Sequence, residues 1–220
     1  MSTALRFVSL DLRALRPYAR GLALTVALLT ILAVLPSRSP YAVLPPLVFA
    51  AAILGPQYLF AADERSDLDT LYAVLGVPRR AVVAGRYLTV ALLGVVLTLL
   101  GLAITAIAAA VLRVPMELPI VGGMTVIAVA AVCLVFACQL PVFFAVGYAT
   151  ARPFAFVIPM VVFVGGILSA GLVPDAGRLA LGALQYLSTP LVGVLAVVVG
   201  AGLLFASAEL SQRLYARRDL

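Results

Sequence analysis

The chain has no histidine, no lysine and no tryptophan, and only two cysteines among 220 residues. Without histidine there is no Ser–His nucleophile pair, no imidazole metal site and no base for an intramembrane serine protease. Without lysine there is no Schiff-base catalyst and no phosphate-loop lysine, so the chain cannot hydrolyse ATP by the usual Walker arrangement. Cys133 and Cys138 stand five residues apart in one apolar run; on a helix they point about 140° apart, which precludes a disulfide and leaves them as small packing residues. Charge is scarce too: 11% of residues are charged against 65% hydrophobic, and mean hydropathy is +1.20. A soluble domain of this length needs far more polar surface. The composition reads as one all-α integral membrane domain over 1–220, with no separate soluble domain.

What charge there is punctuates the sequence. Uncharged intervals run over 21–37, 39–62, 87–112, 118–151, 153–174 and 179–208. A hydrocarbon core of about 30 Å takes roughly 20 helical residues, so each interval supplies one crossing. Six spans follow, at about 21–37, 41–62, 87–112, 118–148, 153–173 and 189–209. Two other partitions would flip the C-terminus: 118–151 as a hairpin, whose two crossings would be short, and Met1–Pro36 as a signal peptide, whose charged flank is long and whose cleavage site is missing.

All fifteen basic residues are arginine. On the six-span reading Arg6, Arg13, Arg16, Arg20, Arg65, Arg79, Arg80, Arg86, Arg152, Arg213, Arg217 and Arg218 fall on one side, and Arg38, Arg113 and Arg178 on the other. Basic residues in short loops stay on the cytoplasmic side, which puts both termini inside. Tyr18, Tyr41, Tyr58, Tyr87, Tyr148, Tyr186 and Tyr215 lie near span ends, where amphipathic rings prefer to sit. The net charge of +6 is then mainly a topology signal; nucleic-acid binding would need a soluble basic face with stacking aromatics.

Two segments outside the spans carry pattern. In 2–20, Leu5, Val8, Leu12 and Leu15 recur at helical spacing while Arg6, Arg13, Arg16 and Arg20 cover another face, and Pro17 marks a bend. This is an interfacial amphipathic helix, read either as an elbow facing a partner or as a plain anchor. In 61–87 eight charged residues interrupt the apolar chain. Ser66 suits an N-cap with Asp67 and Asp69 in the first turn, and Leu68, Leu71, Tyr72 and Leu75 form a stripe. Gly76 suits a left-handed helix stop, and Pro78 a first helical position. The result is a short amphipathic bracket, read as a docking surface or as a helix whose stripe dips into lipid.

The run from Phe60 to Tyr87 resembles the motif of ABC transporter membrane subunits of the type-2 exporter class, in their short six-span bacterial form. The matching positions are Phe60, Asp63, Glu64, Leu75, Pro78, Arg80, Val82, Val83, Arg86 and Tyr87, with Gly76-Val77-Pro78 where such subunits more often carry Leu-Pro. The resemblance implies a permease that is not itself an enzyme and binds no cofactor, with ATP and Mg held by two separate ABC ATPase subunits. It also implies a second membrane subunit, identical or paralogous, and residence in the bacterial plasma membrane. It assigns coupling to the ATPases to Asp63, Glu64, Arg65, Asp67, Leu71, Tyr72, Leu75, Pro78, Arg79, Arg80 and Arg86, with Arg6, Arg13 and Arg16 on the elbow. Segment 63–86 becomes the coupling segment. Segment 174–188, with Asp175 as a cap and Leu179, Leu184 and Leu187 near one face, becomes an external re-entrant or surface helix.

Within the spans, Gly94, Thr98, Gly101, Thr105 and Ala108 form a smooth seam for close helix approach, inside one subunit or between two. Pro45, Pro46, Pro56, Pro141 and Pro159 introduce kinks, static or hinged. Gln57 and Gln139 are the only amides in the spans and no ionisable group lies at mid-bilayer, so an ion-coupled mechanism has no site. A pathway walled by Val, Leu, Phe and Ala suits a hydrophobic or amphipathic cargo such as a peptide, lipid or drug. A haem exporter subunit, a vitamin-capture subunit and a membrane scaffold are the alternatives.

Overall fold

In a medium without water every backbone N–H and C=O must find its partner within the chain, and a sequence this apolar answers with helix throughout. The computed structural model describes residues 3–65, 68–74, 76–171 and 176–217, and among them there is no strand. Ser66, Asp67, Leu75, Asp175 and Arg218, and the side chains of Leu5, Arg6, Asp69, Arg178 and Leu179, lie outside the described residues.

The helices are α1 (Thr3–Leu15), α2 (Ala19–Ser37), α3 (Leu44–Arg65), α4 (Leu68–Val74), α5 (Arg79–Leu112), α6 (Leu118–Gly171), α7 (Ala176–Leu187) and α8 (Pro190–Ala216). A 3-10 turn, Arg16–Tyr18, carries Pro17 between α1 and α2, and another, Pro40–Val43, precedes α3. Among the described residues five stretches are long and apolar enough to cross a membrane: Val8–Ser37, Pro40–Arg65, Arg79–Leu112, Leu118–Val161 and Pro190–Ala216. α3 is the central post, with Leu47, Ile53, Leu59 and Phe60 buried against α5 and α6. α2 and α8 stand outside and leave Leu24, Leu28, Leu32 and Leu35, and Leu191, Leu195, Val198 and Phe205, uncovered. An apolar surface of that extent is stable against lipid and not against water.

α6 has 54 residues, about 80 Å if straight, more than twice the membrane core. It is not straight. Gly147 takes φ 79 and ψ 172, a backbone conformation that costs glycine little and other residues much. The amide of Gln139 donates to Ala155 O at 2.7 Å, two positions that a continuous helix would hold about 24 Å apart. The chain therefore doubles back at Gly147, and its two halves, 118–146 and 148–171, lie side by side.

The prolines explain two of the buried polar bonds. A proline inside a helix cannot donate to the carbonyl four residues earlier. Pro141 thus releases Ala137 O, which accepts from the Ser207 hydroxyl of α8 at 2.7 Å. Pro159 releases Ala155 O, which accepts from Gln139. Each orphaned acceptor is satisfied by a side chain of a neighbouring helix, as the membrane interior requires. Pro45 and Pro46 fall in the first turn of α3, where a helix has no N–H bond to lose; they start the helix instead of kinking it mid-span.

Other sequence expectations shift in detail. On α1 the buried face is Val8 and Asp11, while Leu12 is 42% exposed, so the apolar stripe is rotated from the one its leucines suggest. Gly76 is left-handed with φ 66, and Pro78 is the residue just before α5 instead of its first member. On α5, Gly94 faces Val132 and Phe136 of α6, and Gly101 faces Leu44 and Leu47 of α3. Thr98 and Thr105 turn their hydroxyls back onto Gly94 O and Gly101 O, both at 2.8 Å. At the far end of the bundle Tyr41 joins two loops, accepting from Glu117 N–H at 2.9 Å and donating to Pro115 O at 3.4 Å. There too α7 sits on Gly122 and Gly123, so close that an added Cβ at Gly123 would fall 2.7 Å from Leu184 Cα.

Candidate functional site

One arginine joins three helices. Arg86, two turns into α5, is 2% exposed, between Asp11 of α1 at 3% and Asp63 in the last turn of α3 at 8%. Its Nη1 donates to Asp11 Oδ1 at 2.7 Å, and its Nη2 pairs with Asp63 Oδ1. The second oxygen of Asp11 accepts from Thr89 Oγ1 at 2.9 Å, a hydroxyl that also lies 3.0 Å from Gly85 O. The guanidinium stands 5.7 Å from the centre of the Phe60 ring. Two carboxylates on different helices call for a planar, forked cation that never deprotonates, and a lysine would reach them as a single point. The Nε–H has no partner among the described residues.

The cluster rests on an aromatic floor. Phe60 stacks on Phe143 at 4.8 Å and meets Phe144 edge-on at 5.1 Å, and Phe144 meets Tyr215 of α8 at 5.5 Å. The Tyr87 hydroxyl lies 2.6 Å from Ser207 Oγ and 2.8 Å from Ser211 Oγ, fixing α5 to α8. Arg79 Nη1 donates to Tyr215 O at 2.6 Å and Ala216 O at 3.0 Å, a cation placed where a helix C-terminus is negative. Glu64 Oε2 accepts from Ala149 N–H at 2.9 Å, an anion at the start of the second half of α6, where the helix is positive. Arg65 donates to Tyr18 OH at 3.2 Å, and Tyr18 stacks on Tyr58 at 4.8 Å. The first turns of α5 and the last turn of α3 thereby hold α1, α6 and α8 at one end of the bundle.

Outside this knot lies an exposed face. α4 presents Leu71, 47% exposed, and Val74, 79% exposed, while Tyr72 turns inward. Glu64, Arg65, Pro78 and Arg80 are exposed beside it. Val77 N–H closes onto Tyr72 O at 3.0 Å behind the left-handed Gly76.

The coupling residues named from sequence therefore divide. Asp63, Tyr72 and Arg86 are interior, Arg79 caps α8, and Glu64, Arg65, Leu71, Pro78 and Arg80 face outward, as do Arg13 and Arg16 of α1. Gln139 is fully buried with its Oε1 unpartnered, and Gln57 is half-buried with its Nε2 unpartnered, among the described residues. Asp11 and Thr89 were not foreseen. The available signal was that Asp11 is the one acid before Asp63 and lies on the Val8–Leu15 face of an otherwise arginine-rich helix.

No cluster of metal-binding side chains occurs among the described residues. The arrangement ties one exposed segment to several long helices. No curated protein and no solved structure matches the chain. The model of the ABC-2 family transporter proteins matches residues 8–216, nearly the whole sequence and all the elements that meet at Arg86, and the chain belongs to that family.

Proposed function

We propose that the chain is the membrane-spanning permease subunit of an ATP-driven ABC exporter, crossing the bacterial plasma membrane six times with both termini in the cytoplasm. Membership of the family supports a transport component that relies on an ABC ATPase. Five helices of spanning length, with the longest folded back at Gly147, support six crossings. The end bearing Arg13, Arg16, Arg20, Arg65, Arg79, Arg80, Arg152, Arg213 and Arg217 is the cytoplasmic one by the distribution of basic residues.

The observation that carries the coupling role is the Asp11–Arg86–Asp63 knot beneath the exposed Leu71–Val74 face. An ATPase subunit gripping α4 moves the base of α3 and α5, and α1 follows because Arg86 holds it. Two such ATPase subunits, carrying ATP and Mg, would serve a pair of membrane subunits, identical or paralogous. The outward direction follows the exporter-type motif, and the apolar helix faces suit a hydrophobic or amphipathic cargo.

The test is purification of the tagged full chain from its native membrane in mild detergent. An ATP-hydrolysing subunit is expected at a ratio of one to one, and the double variant Leu71→Asp, Val74→Asp is expected to insert normally and lose it. Recovery of the same ATPase at the same ratio from the double variant would place the docking surface elsewhere.

A further inference from the structure

Between the α1–α2 region and the helices α3 and α5 lies a groove of about 250 Å³. Leu12, Leu15, Leu22, Leu54, Leu93 and Leu97 line it, together with Gly55, Arg16, Tyr18 and Tyr58. An apolar cavity of about 150 Å³ already admits benzene, so the groove is large enough for a stretch of hydrocarbon chain. Leu97 lies eleven residues beyond Arg86 on α5, about 16 Å along the axis and so about one leaflet deep.

Two features identify the occupant. Arg16, in the turn that follows α1, is exposed, and its guanidinium makes no hydrogen bond or ion pair with any described residue; Asp11 of α1 is committed to Arg86 and Thr89. A free guanidinium on a side chain that lines an apolar groove is complementary to a phosphodiester whose tails run into the bilayer. The second feature is Gly55. Glycine within a helix is less favourable than alanine, and at Gly94, Gly101, Gly123 and Gly200 a neighbouring side chain or backbone fills the space that glycine leaves. At Gly55, although it is buried in the groove, nothing stands within 4 Å of where a Cβ would be.

We propose that this groove is a binding site for an anionic phospholipid, with one acyl chain against Gly55 between Leu54 and Leu97 and the phosphate on Arg16. The lipid then serves as a wedge that sets the angle of α1–α2 against α3.

The absence of native tryptophan makes the test direct. The full chain carrying Leu22→Trp is reconstituted in phosphatidylcholine vesicles containing either brominated phosphatidylglycerol or brominated phosphatidylcholine, and quenching is read against mole fraction. A control carries its tryptophan at Leu195→Trp on the uncovered face of α8. At Leu22→Trp, half-quenching is expected at a mole fraction roughly tenfold lower for the anionic lipid, about the discrimination that one charge-assisted contact gives. The control is expected to show no preference. Arg16→Gln, an exposed substitution, is expected to remove the preference, and Gly55→Leu, whose Cβ meets no neighbour and whose branch enters the groove, to weaken quenching by both lipids. Equal quenching by the two lipids at Leu22→Trp, or a preference that survives Arg16→Gln, overturns the proposal. Quenching of the control by both lipids keeps the membrane-spanning reading intact in either case.

Discussion

Replacing Arg86 by methionine keeps the length and apolar stem of the side chain and removes the one positive charge that faces two carboxylates. Asp11 and Asp63, at 3% and 8% exposure, are then left opposite each other with no cation between them. Breaking a buried ion pair by deleting one partner costs about 3–5 kcal/mol. Taking about 4 kcal/mol for Arg86→Met, the expected fall in melting temperature is about 8–16 °C for a chain of this size. Asp11→Asn is milder, because Arg86 still has Asp63 and Thr89 can still bond the amide; about 1–2 kcal/mol is expected for weakening one charge-assisted bond. The triple variant Asp11→Asn, Asp63→Asn, Arg86→Met buries no charge and should recover most of the loss, since replacing a whole buried ion cluster by neutral groups is often close to neutral in stability. Melting is followed in detergent by a thiol-reactive fluorophore reaching Cys133, which packs on Gly200, in a Cys138→Ser background that removes the exposed thiol. An Arg86→Met protein melting within about 2 °C of its parent, or a triple variant no more stable than the single, would refute the view that Arg86 is the tie between α1, α3 and α5.

The proline-released carbonyls make a second test: Gln139→Leu leaves Ala155 O without its donor and should cost about 1–3 kcal/mol, whereas Gln139→Leu with Pro159→Ala restores a helical N–H and should regain much of it. Additive losses in that thermal double-mutant cycle would show that Gln139 is not serving the carbonyl. At the far end, Gly123→Val drives a side chain into the backbone at Leu184, so α7 should lift and a cysteine placed by Ser188→Cys should label faster in intact membranes. Unchanged labelling would mean that α7 does not rest on Gly123.

Much of the bundle was legible because burial in lipid has a simple signature: where charges are absent for the width of a membrane, helices cross. Gly76, with its left-handed turn, was legible for a local reason, since that conformation favours glycine over residues with a side chain. Phe60, Asp63, Arg86 and Tyr87 were legible as members of a motif. What they do was not, because a motif fixes identities and not depth. Asp63 and Arg86 read as water-facing charges until α1 covers them. Asp11 was hidden for the same reason, as an acid among arginines on an amphipathic helix looks like part of a solvated face. The partners of Pro141 and Pro159 depend on contacts between residues as far apart as Ala137 and Ser207, which no local pattern encodes. Only the placement of α8 and the reversal at Gly147 reveal them.

Where Ser207 and Gln139 serve carbonyls that prolines have vacated, adjacent helices are joined by rotatable side chains in place of a rigid ladder. Shear between α6 and α8, or between the halves of α6, then needs one hydroxyl or amide to exchange acceptors, while every other helical bond stays closed. At each of those two levels the neighbouring helices meet through one side-chain donor, so a change of rotamer there costs a single bond.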